Sequence, residues 1–123
     1  MPGVTSIKLI RNLTDRRVEV HDHENPTHAG NNAAAPPGAS EPCEMWVPWC
    51  VSGSDFANQK YIVVSVENGP TYWIWQAQHD DEDAVRCGTT GRYENPGTPI
   101  TGLSLPGGDR VLDVTPTGLH LHV

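Results

Sequence analysis

The chain has 123 residues, with 8 Lys and Arg against 15 Asp and Glu, for a net charge of -7. Its scattered basic residues form no stripe able to displace counterions, which excludes nucleic acid as a partner, and the acidic balance disfavours an anionic membrane surface. The length fits one domain over residues 1–123, and the 12 glycines and 11 prolines follow no period, which excludes a collagen-like chain and demands many turns.

No apolar run of about 18 residues is present, so no transmembrane segment is predicted. The opening MPGVTSIKLIRN lacks the charged and apolar regions of a signal peptide. A cytoplasmic chain is therefore the default expectation, with secretion open if a leader has been removed. The three cysteines, Cys43, Cys50 and Cys87, cannot all pair internally. Reduced thiols are expected, with one disulfide, Cys43–Cys50 or Cys50–Cys87, as the alternative. Asn12-Leu13-Thr14 has the form of a glycosylation sequon, which matters only in a secreted chain.

In chain order, SIKLIRNL (6–13) reads as a first strand, apolar enough for a central place, and Thr14-Asp15 opens a turn. RRVEVHD (16–22) alternates cleanly and reads as the second strand. NPTHAGNNAAAPPGASEP (25–42) is small, polar and broken by proline, and is expected to be a long irregular connection. CEMWVPWCV (43–51) is aromatic and apolar, but Pro48 lacks an amide donor, so an edge strand, bulge or bend is expected. GSDFANQ (53–59) is the one helical candidate, a single turn capped by Ser54 or Asp55.

KYIVVSVE (60–67) is the clearest strand, and Asn68-Gly69 is the strongest hairpin signal, returning through TYWIWQAQ (71–78). HDDED (79–83) lacks the spacing and glycine of a Ca²⁺ loop and is expected to be a solvated hairpin tip. AVRCG (84–88) is a short strand, and TTGRYENPGTP (89–99) is rich in turns. ITGLSL (100–105), RVLDVT (110–115) and LHLHV (119–123) supply the remaining strands. Roughly eight or nine strands at this spacing predict an all-β domain. The expected form is a small antiparallel β-sandwich, jelly-roll-like, with a closed β-barrel as the alternative.

Side chains on a strand alternate between faces. Val18, Val20 and Asp22 share one face, with Glu19, His21 and His23 on the other. Burying a valine is worth roughly 1.5–3 kcal/mol, so the valine face is predicted to be inner and the histidines outer. His120 and His122 likewise oppose Leu119, Leu121 and Val123. In the hairpin, Ile62, Val64 and Val66 make an inner face. On its return arm Trp73 and Trp75 are expected to face the core, with Tyr72, Ile74, Gln76 and Gln78 on the wetter side.

Two sets of site residues follow. An H-x-H on a strand places two imidazoles on one side about 6.5–7 Å apart at Cα, a workable span for one metal ion. If the second and last strands pair, His21, His23, His120 and His122 converge, with His28, His79 or Glu24 as a further ligand. Imidazole suits Zn, Cu, Ni and Fe alike, so the cofactor stays unspecified. HDHENPTH (21–28) resembles the first metal motif of cupins, an H-x-H followed four or five residues later by Glu, with His28 standing where that Glu would be. The upstream glycine and a second motif are absent, and cupin ligands face the barrel interior, so the resemblance carries over no site.

The second set is Trp46, Trp49, Tyr93, Asn95 and Asp109, loop aromatics and polar groups suited to a small neutral ligand or glycan. Neither an activated nucleophile nor a phosphate-binding motif is present, so a non-enzymatic, lectin-like binding module is the leading expectation. A metalloprotein using the histidines, or a cupin-like metalloenzyme, is the second. A lipid-binding or structural interaction protein is the third, because the small, acidic, Trp-rich composition is similar to that of aegerolysins, which bind lipids. The oligomeric state is left open.

Overall fold

A computed structural model describes residues 4–79, 82–94 and 97–123. The described strands form two sheets. One has the order β4 (Ser40–Trp46), β1 (Thr5–Asn12), β10 (Gly108–Thr115), β11 (Gly118–His122), β9 (Thr101–Gly102), and the other β3 (Asn32–Ala35), β2 (Val18–Asp22), β5 (Ile62–Val66), β6 (Thr71–His79), β7 (Glu82–Gly88), β8 (Thr98–Pro99). These orders leave β4 and β9, and β3 and β8, as free edges, so the molecule is an open all-β sandwich and the alternative of a closed barrel is not realised.

β1 (Thr5–Asn12) takes the central place its apolar sequence predicts, antiparallel to β4 (Ser40–Trp46) and parallel to β10 (Gly108–Thr115). The pairing register shifts between Ile7 and Leu9 on both sides. At its end the chain crosses to the other sheet and enters β2 (Val18–Asp22). Asn12 anchors this crossing and is completely buried. Its Nδ2 donates to the carbonyls of Arg16, Ala35 and Pro36 at 2.6, 3.0 and 3.1 Å. Its Oδ1 accepts from the amide and hydroxyl of Thr14 at 3.0 and 2.7 Å. A sequon asparagine so held has no free amide to present.

The stretch expected to be irregular contains β3 (Asn32–Ala35), which pairs antiparallel with β2. Alanine is a poor strand former, so propensity hid this element. Its packing explains it, since Ala33 and Ala35 are buried beside Val20 and Val18. β4 begins at Ser40, earlier than expected, and ends at Trp46, before Pro48. Beyond it, residues 48–50 bracket Gln76, whose N–H donates to the Pro48 carbonyl at 2.8 Å and whose carbonyl accepts from Cys50 at 3.0 Å.

The short α1 (Gly53–Ala57) is capped by Ser52 rather than by Ser54 or Asp55. The Ser52 hydroxyl accepts from the Asp55 amide at 3.1 Å, while the Asp55 carboxylate reaches back to the Val51 amide at 3.0 Å. The first bond is the N-cap half of a capping box, while the second differs from it by reaching the residue before the cap, so that Asp55 ties the incoming chain to the helix. β5 (Ile62–Val66) and β6 (Thr71–His79) form the predicted hairpin, with Asn68 at a positive φ of 54° in the turn. β6 pairs antiparallel with β7 (Glu82–Gly88), so Glu82 and Asp83 are strand residues rather than part of a solvated tip; Asp80 and Asp81 lie outside the described residues. β8 (Thr98–Pro99), β9 (Thr101–Gly102) and β11 (Gly118–His122) complete the sheets, β9 running parallel to β11.

The main core fills the space between the sheets, with Ile7, Ile10, Val18, Val20, Ile62, Ile74, Leu112 and Leu121 essentially inaccessible. The predicted faces of β2, β5 and β11 hold. Those of β6 are reversed. Ile74 joins the main core with Tyr72 packed against it, and Gln76 is 1% exposed. Trp75 is buried on the other face, in a second cluster with Cys50, Phe56 and Ala77, against which Trp73 and Tyr93 pack. Gln76 misled because both faces of the middle of β6 are covered; Gln78, near its end, is exposed. Phe56 from α1 meets Trp75 edge-on at 5.8 Å, and Tyr93 lies 6.2 Å from it. A Cβ at Gly97 would stand 2.7 Å from the Trp75 ring, so this position, with φ 75°, requires glycine. Among the described residues the Trp75 indole N–H has no hydrogen-bond partner.

Two buried arginines tie loops to this frame. Arg86 donates to the carbonyls of Ala77, Glu82 and Gly97, and Arg110 to those of Leu103, Leu105 and Asp109. Among the described residues no helix is long and apolar enough to cross a membrane.

Candidate functional site

The two histidine pairs stand on different sheets. β2 lies between β3 and β5, whereas β11 lies between β10 and β9. The pairing on which convergence depends is therefore absent, because the chain changes sheet between β1 and β2 and it is β1 that neighbours β10. His21, His23, His120 and His122 are half-buried, turned away from the aliphatic rows as alternation requires. Each pair has local partners. His21 Nδ1 lies 2.7 Å from Asn32 Oδ1, and His23 Nδ1 lies 3.3 Å from Gln59 Oε1. His122 Nε2 lies 3.1 Å from Asp113 Oδ1, with the His120 ring 6.0 Å from that of His122. Among the described residues no group of three or more His, Cys, Asp or Glu is arranged to hold a metal ion.

The second set is also dispersed. Trp49 is half-buried in the segment that brackets Gln76, Tyr93 closes the outer cluster over Trp75, and Asp109 is exposed near the start of β10. Asn95 lies outside the described residues. Trp46 is different: it is 63% exposed. It lines a cavity of about 360 Å³ together with Asp22, Glu24, His28, Asn31 and Glu44. Trp46 from one predicted set thus meets His28 and Glu24 from the other.

This cavity sits where β2 ends, β3 begins and β4 ends, at the free edges of the two sheets. The segment 23–31 closes over it and is held by side-chain amides. Asn31 Nδ2 donates to the Asn25 carbonyl at 2.9 Å, and Asn32 Nδ2 to those of Pro26 and His28 at 3.0 and 3.2 Å. Its 3-10 turn, Ala29–Asn31, approaches β4 so closely that a Cβ on Gly30 would stand 3.1 Å from Glu44 Cβ. Asn31 is buried, and its side-chain oxygen accepts no hydrogen bond among the described residues.

Asp22 is the unusual member. The valine face carries it inward, and it is only 3% exposed. One carboxylate oxygen accepts from the Glu24 amide at 3.0 Å, and the other has no partner. The remaining carboxylates have their own cations, Glu24 with Lys60 at 3.4 Å and Glu44 with Lys8 at 3.5 Å, both at the surface. Asp22 has none. Burial pushes its pKa up to about 6, opposed by the Glu24 amide and reinforced by the Glu24 charge. Near neutral pH the cavity therefore contains a buried, largely ionised and uncompensated carboxylate beside an exposed indole. Asp22 and its neighbours Asn31 and Glu44 were not among the residues expected from sequence. The available signal was the alternation that set Asp22 on the inner face.

A second cavity of about 550 Å³ opens at the β8 and β9 edges, lined in part by Tyr72, Cys87, Glu94, Thr101 and His120. Asp113 also borders it, but its carboxylate is engaged by Arg11 at 3.5 Å and His122 at 3.1 Å. Burial raises the Cys87 thiol and pushes Cys43 up to about 12 and Cys50 up to about 11. All three cysteines are free, and their protonated state gives no thiolate nucleophile near neutral pH. In comparisons with protein-family models, with curated proteins and with solved structures, the chain has no match.

Proposed function

We propose that the protein is a non-enzymatic binding module that takes a small polyhydroxylated ligand, a glycan or fragment of one, in the cavity beside Trp46. The observation that carries this reading is the pairing of an exposed indole with a buried polar wall. Trp46 offers an apolar face for the C–H side of a sugar ring, and Asp22 and Asn31 offer acceptors without partners for its hydroxyls. The volume is in the lower part of the range typical of small-molecule sites, about 300–1,000 Å³, and suits one or two sugar rings. The wall is fixed before the ligand arrives, since the segment 23–31 is already bonded to itself and packed on β4, which limits the ordering cost of binding. The described lining residues are acceptors and an apolar ring, which supports a reading of recognition.

A glycan array followed by titration calorimetry tests this. Binding that is lost in Trp46→Ala and kept in Trp49→Ala is the expected result. Equal binding by Trp46→Ala and the parent protein overturns it.

A further inference from the structure

We infer that the ligand of this cavity carries a protonated amine that pairs with Asp22, making it a free amino sugar rather than a neutral one. The inference rests on the reading above and goes further by naming the chemical group recognised. Among the described residues three carboxylates border the cavity, and no Lys or Arg is among those lining it. Lys60 and Lys8 already pair with Glu24 and Glu44. Only Asp22 is left without a cation, and it is also the one that is buried, with one oxygen unpartnered in the cavity wall.

A charge withdrawn from water is costly unless it is paired. A neutral hydroxyl gives Asp22 a hydrogen bond and leaves its charge uncompensated. An ammonium gives both, through a charge-assisted bond of about 2.7–2.9 Å. Trp46 favours the same group, because the face of an indole attracts a cation. The charged and titratable groups around Asp22 are Glu24 and His28 from the segment 23–31, Glu44 from β4, and Lys60 and Lys8 paired at the surface. The net field in the cavity is negative while His28 is neutral.

The test is calorimetric titration of the whole protein near pH 7 with three probes of one shape: the disaccharide of glucosamine, its N-acetylated counterpart and cellobiose. The amine-bearing disaccharide is expected to bind at least about tenfold more tightly than the other two. Asp22→Asn, which keeps an acceptor for the Glu24 amide, should remove that preference by bringing the affinity for the amine-bearing disaccharide down to that for the neutral pair, whereas Glu44→Gln should reduce it only slightly. Lowering the pH from 7 to 5 should weaken amine binding more than neutral-sugar binding as Asp22 takes up a proton. Equal or tighter binding of the neutral disaccharides overturns the amine inference and leaves the glycan reading standing. A preference that persists in Asp22→Asn overturns the assignment to Asp22. Absence of Trp46-dependent binding by every probe overturns both.

Discussion

Two polar side chains are buried near opposite ends of β2, and their surroundings differ. Asn12, at the Val18 end, is fully enclosed, with both sides of its amide used. Asp22, at the other end, is nearly as enclosed, yet it has one amide donor, no cation and an open cavity before it. The first arrangement is what a structural polar group requires, because an unmet buried group costs about 1–3 kcal/mol. The second is a cost that the free fold bears. Burial is therefore common to both residues, and what differs is the completeness of the hydrogen-bonding together with the cavity in front of Asp22, on which the proposed site rests.

Exchanging acid and amide at each position should produce opposite effects. Asn12→Asp puts oxygen where three carbonyls now receive hydrogen bonds, and should destabilise by at least about 3 kcal/mol, or roughly 10–15 °C in Tm. Thermal unfolding at pH 7 checks this, and a loss under 3 °C would show that the knot is not structural.

Asp22→Asn should stabilise by about 1–3 kcal/mol at pH 8. The folded state holds the Asp22 proton more tightly than the unfolded chain, the pKa rising from 3.8 to about 6. Its contribution is thus fully present below pH 3.8 and is lost as the pH rises through about 6. The variant's advantage should vanish near pH 4, as urea unfolding at both pH values will show. A variant less stable at pH 8 would mean that the carboxylate is well solvated.

Ser52→Ala removes a complete but surface-lying cap and should cost about 1 kcal/mol, which urea unfolding followed by near-ultraviolet signals of the Trp75 cluster can measure. Trp46→Ala should be the mildest, within about 0.5 kcal/mol of the parent, since an exposed ring contributes little to folding. A larger loss would make Trp46 part of the scaffold.

What was legible in the sequence follows the same division. Period-two alternation identified the inner faces of β2, β5 and β11, because each has one clearly aliphatic row. It failed on β6, where a third layer built from α1 and neighbouring loops covers the outer face and buries Trp75 there. It missed β3, whose alanines are chosen by the space beside Val18 and Val20 rather than by strand propensity. The cavity was legible only in part. Trp46 and His28 stood out as residue types, but Glu44 and Asn31 join them through the return of β4 past the 3-10 turn, a contact no local pattern encodes. Asn12 looked like a modification signal and is a structural anchor.

The parallel pairing of β1 with β10 also shapes the order in which the chain can fold. Thr5 pairs with Gly108 and Asn12 with Val114, so the middle of that sheet joins segments roughly a hundred residues apart. The β5–β6 hairpin can close on its own while synthesis continues. One flank of β1 must wait until β10 has left the ribosome. During that interval an apolar strand edge lies open, and the newly made chain is at its most vulnerable to joining another copy of itself.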